Sequence, residues 1–305
     1  MTDLSVSIVN TSSRELLLAC LETLPRDADV VVLDNASEDG SVDAVRERFP
    51  DVRVLAQDFR AGFGANHNTV IRATDGRYVY VLNEDTTSAD WAFEHIVAYL
   101  DSNPRVAALG PLVVYPDGRQ QASAWRFPTP LVSAVGLLTV GKLGVTQSHG
   151  EQARAVDWVT GAALVLRREA LEEVGLFDEE FFLYSEEVDL QLRLHQAGWE
   201  VHYFPDAAVV HHESQFSAEI PERRINEMWR SRHRYWRKHH SSAGARVAAL
   251  TTGAQYAVRA AAAPLAHRSR RRMLLHARDA WRVEGPGLRE LADEWNGRVR
   301  STSRG

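Results

Sequence analysis

Strand and helix patterns alternate four times between residues 6 and 82, and a basic, alanine-rich stretch closes the chain after residue 217. These two observations predict an α/β protein with a mostly parallel central sheet over residues 1–217 and a helical C-terminal extension over 218–305. A third narrows the class. The first strand runs into Asn10-Thr11-Ser12-Ser13-Arg14 without a glycine, so the Gly-rich turn of a dinucleotide-binding sheet is missing.

Residues 6–10 form an apolar strand, and Ser12 or Ser13 with Glu15 opens a helix to about Thr23. Residues 28–33 read as a second strand ending in Asp34-Asn35, a helix over 41–49 stops at Pro50, and residues 52–56 give a third strand. After the tight loop Gly62-Phe63-Gly64 a helix covers 65–73. The β-branched and aromatic run 78–82 follows the turn Asp75-Gly76 and reads as a buried strand. Beyond it come a surface helix over 91–103, a regular stretch over 106–115 and the turn Pro116-Asp117-Gly118. Gly, Pro and Ser punctuate 125–150 without clear periodicity, which predicts a mobile segment near the site. Regularity returns over 156–166 and in a helix over 168–174. Ser185 stands where it would cap a helix whose apolar positions Val188, Leu190, Leu192 and Leu194 lead to Ala197-Gly198. Short strands at 199–204 and 208–210 deliver His211-His212-Glu213-Ser214.

Chemistry concentrates at the ends of these strands. Asn83, Glu84 and Asp85 follow the strand 78–82 at the sheet edge where α/β proteins bind ligands, and a carboxylate there suits a hard divalent cation. A solvated loop is the competing reading of those residues alone. Glu186 and Glu187 fall in a first helical turn, where amide dipoles favour negative charge, so helix stabilisation also accounts for them. Adjacent histidines are usually structural or exposed. On a strand, His211 and His212 face opposite ways, so only one can serve a site.

The 305 residues are 45% hydrophobic and 25% charged, the makeup of a soluble protein with a sizeable core. One cysteine, Cys20, lies in an apolar run and reads as a buried small hydrophobe; without a second, no internal disulfide forms, which fits a reducing compartment. The amino terminus lacks the basic start and apolar core of a secretory signal, and no stretch reaches the apolar length of a membrane span. A cytoplasmic protein is expected. The net charge of −6 conceals a segregation: residues 221–282 hold 15 Lys and Arg against 3 Asp and Glu, the rest of the chain 20 against 38. A basic body of +12 joined to an acidic one of −18 suggests an anionic partner. Nucleic acid is disfavoured, because phosphate repels the acidic body.

Seven ordered motifs between residues 5 and 217 resemble the inverting glycosyltransferases of family 2. They are V-S-I-V-N at 6–10, L-D-N-A-S-E-D-G-S at 33–41, G-F-G-A-N at 62–66, L-N-E-D-T at 82–86, V-T-G-A-A at 159–163, G-L-F-D-E-E-F-F-L-Y-S-E-E-V-D-L at 175–190 and H-H-E-S at 211–214. The pattern is most similar to the rhamnosyltransferase-like branch acting on cell-surface polysaccharide precursors.

That resemblance implies a GT-A-type nucleotide-sugar-binding fold, with a nucleotide-binding half over about 1–115 and an acceptor half over about 116–217. It implies transfer of rhamnose from dTDP-rhamnose to a saccharide or lipid-linked saccharide. A UDP-sugar donor, or a non-catalytic saccharide- or membrane-binding protein of the same fold, are the alternatives. Thr11 and Asp34 match positions near the donor base, and Arg60, Asn66, Asn83 and Glu84 fall with them on the nucleotide-sugar side. Asp85 matches the ligand of a divalent cation, Mn2+ or Mg2+, and His211 the late histidine near the metal or diphosphate. Glu187 matches the second acid of the family's Glu-Asp pair, the general base, but is a glutamate where the usual residue is an aspartate, one methylene longer, which leaves Glu186 as the other candidate; Asp189 has a supporting role. Trp158 and Gly161 match a segment lining donor sugar and acceptor, with core packing the equal reading of Trp158. The basic C-terminal helices, with Trp229 and Trp236, suit an anionic membrane surface on the inner face of the plasma membrane, while a helix packed on the body is the alternative. Self-association into a homo-oligomer is allowed by the resemblance.

Overall fold

The computed structural model describes residues 3–90, 93–140, 145–212, 221–262 and 269–302. Trp91 of the expected surface helix and Glu213-Ser214 of the last motif lie outside the described residues. The chain forms two compact units: Met1–Trp125, Thr146–Glu179 and Glu187–Ser214 make the first, and Arg126–Val145, Glu180–Glu186 and Gln215–Gly305 the second.

The strands of the first unit are β1 (Leu4–Asn10), β2 (Asp29–Asn35), β3 (Arg53–Gln57), β4 (Tyr78–Asn83), β5 (Thr86–Asp90), β6 (Val106–Val114), β7 (Ala124–Trp125), β8 (Arg154–Val156), β9 (Trp158–Val159), β10 (Ala163–Arg167) and β11 (Glu200–His211). Nine form one sheet in the order β3-β2-β1-β4-β10-β6-β11-β5, with β8 paired to β11, while β7 and β9 pair separately. Only β5, β8 and β10 run against the other six strands of that sheet. The mostly parallel α/β sheet expected from the sequence is therefore present. Strand order reverses at β1, whose neighbours are β2 and β4, and such a switch point opens a crevice at the carboxyl ends of the strands.

Burial follows the two-residue strand period. Tyr78, Tyr80 and Leu82 enter one core cluster with Val6 and Ile8, whereas Val79 and Val81 enter another with Leu164 and Leu166. Both faces are covered, which is why the run 78–82 is apolar at every position. Covering helices include α1 (Arg14–Thr23), α2 (Ser41–Arg48), α3 (Phe63–Arg72) and α4 (Phe93–Ser102). Cys20 is fully buried and burial pushes its thiol up to about 12, so it is an inert core residue.

Several expectations need correction. The stretch 125–150 is not structureless: it contains α5 (Pro130–Leu138), in the second unit, started by Pro130 at its first turn and by Thr129 Oγ1, which accepts from the Val132 amide. The sequence P-L-V-S-A-V-G-L-L lacks a polar face, so no helical period shows. The regular stretch 156–166 divides into the end of β8, β9 and β10 around the turn at Thr160-Gly161-Ala162. Helices α6 (Arg168–Val174) and α7 (Glu186–Gln196) stand where expected, but Ser185 does not cap α7. Its φ is +68°, its hydroxyl has no hydrogen-bond partner among the described residues, and Tyr184 before it also has a φ of +68°. The two strands at 199–204 and 208–210 are one, β11, whose register shifts between Phe204 and Ala208 where Pro205 cannot donate to the ladder.

The second unit also contains α8 (Pro221–His239), α9 (Ser242–Ala262), α10 (Arg270–Trp281) and α11 (Leu288–Thr302). Trp229 and Trp236 are buried, at 4% and 1% exposure, so neither serves as an interfacial anchor. The Trp236 indole donates to the Pro128 carbonyl at 2.7 Å and that of Trp229 to His276 Nδ1 at 3.1 Å. Packing within the unit, the alternative reading, accounts for both tryptophans.

Candidate active site

Three groups of side chains gather at the carboxyl edge of the sheet in the first unit. The first lies at the ends of β1, β2 and β3. Asp34 is 3% exposed and held by two bonds, its Oδ1 accepting from Asn10 Nδ2 at 3.1 Å and its Oδ2 from the Ser37 amide at 2.9 Å. Asn35 Nδ2 donates to Thr11 Oγ1 at 3.1 Å, and Asn35 Oδ1 accepts from the Ala61 amide at 2.8 Å and from Gln57 Nε2 at 2.7 Å. Gln57 Nε2 also donates to Asn66 Oδ1 at 2.9 Å, and Arg60 reaches the Ala36 carbonyl at 3.5 Å and Glu38 at 3.4 Å. Thr11, Asp34, Arg60 and Asn66 thus belong to one polar cradle. Asn10, Asn35 and Gln57, which sequence reasoning missed, tie it together; their only signal was a polar residue ending each strand.

The second group follows β4. Asp85 is 5% exposed, and its backbone carbonyl accepts from the His212 amide at 2.9 Å. That bond sets His211 Nε2 3.3 Å from Asp85 Oδ1. His212 turns the other way and meets Thr87 Oγ1 at 3.0 Å. His211 Nδ1 lies 2.8 Å from Gln121 Oε1, and because an amide oxygen only accepts, Nδ1 carries the proton of that bond and the ring is held with Nε2 facing Asp85. Burial pushes Glu84 up to about 7, helped by the Asp85 charge, against the pull of a hydrogen bond with Ser13 and of His211.

Two donors 3.3 Å apart fit one cation. Bonds of about 2.1 Å at right angles put ligands about 3 Å apart, and a Mg2+-type ion commonly takes one or two protein ligands with phosphate oxygens and water completing its shell. Among the described residues no cluster of three or more His, Cys, Asp or Glu could hold an ion. The donor set therefore suits an ion that arrives with a diphosphate, not a self-sufficient metal cage.

The third group comes from β9, the 160–162 turn and α7. Ala163 pairs with Leu82, and the Asn83 amide donates to the Ala162 carbonyl at 3.0 Å, which brings the turn against the end of β4. Gly161 packs on α7: a Cβ there would lie 3.7 Å from Glu187 Cβ and 3.2 Å from the Phe63 ring. Gln191, fully buried, anchors the helix, since its amide exchanges bonds of 2.8 Å with both the NH and CO of Val159 and donates to the Glu187 carbonyl at 2.9 Å. Glu187 is half-buried and Glu186, assigned to the second unit, is 2% exposed. Asp189 accepts from Arg193 at 2.9 Å, and Arg193 in turn binds the carbonyls of Val174, Gly175 and Leu176, so this acid is structural. Trp158 stacks on Trp125 at 4.5 Å between ring centroids, a partner the sequence did not indicate. Consecutive left-handed residues Tyr184 and Ser185, each costing about 1–3 kcal/mol, aim the start of α7 and leave no trace in composition.

One edge of the α/β sheet thus carries a polar cradle, an acidic pair with His211 and a further carboxylate on α7. Residues 2–234 match the profile described as Glycosyltransferase like family 2, and the chain belongs to that family. It is 34% identical over 218 residues to the N-acetylglucosaminyl-diphospho-decaprenol L-rhamnosyltransferase of Mycobacterium tuberculosis, covering 64% of this chain and 70% of that one. It is 27% identical over 162 residues to the rhamnosyltransferase WbbL of Escherichia coli, covering 50% and 61%. Among solved structures, the mannosyltransferase PcManGT from Pyrobaculum calidifontis, in complex with GDP-Man and Mn2+, superimposes with a TM-score of 0.60 at 20% identity, over 91% of this chain and 84% of that one.

Proposed function

We propose that this glycosyltransferase moves rhamnose from dTDP-rhamnose to a saccharide or lipid-linked saccharide in cell-surface polysaccharide synthesis, with inversion at the anomeric carbon. The observation that carries the reading is the convergence of Glu187 and the Asp85–His211 pair on one strand edge, joined through the Asn83–Ala162 hydrogen bond. Glu187, the more open of the two adjacent glutamates, takes the proton of the acceptor hydroxyl. Asp85 and His211 hold a divalent cation, Mn2+ or Mg2+, which when bound offsets charge on the diphosphate leaving group. Thr11, Asp34, Arg60, Asn66, Asn83 and Glu84 receive the nucleotide and donor sugar. Each Asp34 oxygen keeps a lone pair for the imide hydrogen of a pyrimidine. Trp158, braced by Trp125, lines the sugar side with Gly161. The rhamnosyltransferase relatives support the donor choice, and a UDP-sugar remains the second reading because one methyl separates the bases, worth about 1–3 kcal/mol in a pocket.

Melting-temperature shifts with a set of nucleoside diphosphate sugars, each with and without Mn2+, test this assignment. dTDP-rhamnose with Mn2+ is expected to give the largest rise, exceeding the separate effects of sugar nucleotide and metal, since the ligand completes the cation's shell. A larger rise with a UDP-sugar would reassign the donor, and equal rises with and without metal would remove the cation.

The second unit further supports work at an anionic membrane on the inner face of the plasma membrane. No helix among the described residues is long and apolar enough to cross a membrane. Yet Leu131 and Leu138 on α5 are 73% and 84% exposed, with Val247, Leu250 and Val258 also exposed on α9. These helices lie side by side, Pro130 near Gly244 and Gly136 near Gln255, each with exposed apolar residues, and arginines open α10. Wild-type protein should pellet with anionic vesicles at low salt, and Leu131→Ser with Leu138→Ser should weaken that binding about tenfold, the loss expected for roughly 1.4 kcal/mol of insertion. Absence of pelleting at low salt would remove the membrane from this reading.

A further inference from the structure

We infer that the second unit carries its own anion site, an arginine-lined cavity of about 500 Å³ suited to a ligand with two phosphoryl groups. The site rests on residues of that unit alone. Arg230, Arg234 and Arg237 recur at i, i+4 and i+7 on α8, a spacing that turns all three to one helix face. Arg282, directly after α10, and Arg289, in the first turn of α11, line the same cavity. All five cations are guanidinium groups, whose planar forks match phosphate oxygens in pairs, where a lysine would offer a point charge.

The nearby carboxylates are already engaged. Glu180 accepts from Arg234 at 2.7 Å and Glu290 pairs with Arg230. Glu227 Oε2 accepts from the Leu288 amide at 2.9 Å and the Arg289 amide at 3.2 Å, closing the start of α11. Five guanidinium groups stand against these three carboxylates, with Glu284 a more distant fourth, so the cavity keeps a positive excess. The excess falls on identifiable residues. The Arg237 guanidinium makes no hydrogen bond or ion pair among the described residues, and Arg282 reaches only Glu284, at 3.9 Å and highly exposed. An exposed pair of that length contributes little, so both arginines are free to take a ligand. The volume falls within the range of about 300–1,000 Å³ typical of small-ligand sites. Trp281, whose indole donates to the Leu250 carbonyl at 3.3 Å, adds an aromatic wall. A diphosphate offsets that excess and offers phosphoryl oxygens to Arg237 and Arg282, which line the same cavity. A soluble diphosphate and a phosphorylated lipid headgroup share this chemistry.

Titration of the full-length protein with inorganic pyrophosphate in EDTA tests the site while keeping the probe off any metal-dependent position. One site per chain is expected, its affinity at least tenfold weaker in the Arg237→Gln/Arg282→Gln double variant and unchanged in Asp85→Asn. On wild-type protein, pyrophosphate should shield Arg237 and Arg282 from phenylglyoxal, a reading that needs no variant. Unchanged affinity in the double variant, loss of binding in Asp85→Asn, or no shielding would each overturn the proposal. Displacement of pyrophosphate by phosphatidylcholine vesicles containing phosphatidic acid assigns the ligand to a lipid headgroup, and no displacement assigns it to a soluble diphosphate.

Discussion

Glu187→Gln should abolish sugar transfer while leaving donor binding intact. The substitution keeps size and hydrogen-bonding reach but replaces the basic carboxylate with an amide too weakly basic to take the acceptor proton, and general bases typically contribute about 10²–10⁴ in rate. Turnover measured as nucleoside diphosphate release should fall by at least that range, with the donor-induced melting shift unchanged, because the donor contacts assigned above come from other residues. Glu186→Gln separates the two acids. Glu186 is the more enclosed of the two, so its neutralisation should leave more of the activity than that of Glu187. If Glu186→Gln were the dead variant and Glu187→Gln active, the roles would be exchanged.

Asp85→Asn should remove metal-dependent donor binding and turnover together. It replaces a charged ligand with a neutral one beside His211, and loss of Lewis-acid stabilisation on a leaving diphosphate is worth several kcal/mol, or about 10²–10⁴ in rate. The fold should not suffer in the same measure. Asp85 is a nearly buried carboxylate whose charge adds to the burial that pushes Glu84 up to about 7, so neutralising it relieves repulsion. The melting temperature of the metal-free variant is expected to match or exceed that of the wild type, the pattern of a site that gives up stability for function. A variant that still gains the same Mn2+-dependent shift with sugar nucleotide would show that the cation is held elsewhere.

Local patterns made much of this molecule readable. The β-branched runs at 29–35 and 78–83 identify strands because both sheet faces are covered, and the loss of apolar character at Asp34 and Asn83 marks where each strand meets the crevice. The helix at Arg168–Val174 was legible for the same reason, its propensity agreeing with its packing. Position 185 failed as a cap because capping chemistry competes with backbone geometry, and the left-handed Tyr184–Ser185 pair is a conformation that these residue types do not announce. The apolar helix at Pro130–Leu138 was hidden because a helix without a polar stripe has no period to detect. In the basic extension, the tryptophans suggested an interface, whereas packing among α8, α9 and α10 buries them and leaves leucines of α5 at the surface.

Sequence alone determined the α/β class, the first four parallel strands and the identity of the acids at their ends, because propensity, burial pattern and motif order are all written over neighbouring residues. Tertiary structure decided which of those groups meet. The 3.3 Å approach of His211 to Asp85, the Gln121 contact that orients the imidazole, the Gln191 clamp behind Glu187 and the convergence of five arginines on one cavity join residues tens to more than a hundred positions apart. Such pairings depend on strand order and register, which follow from the packing of the whole sheet and helix set and not from any single stretch of it.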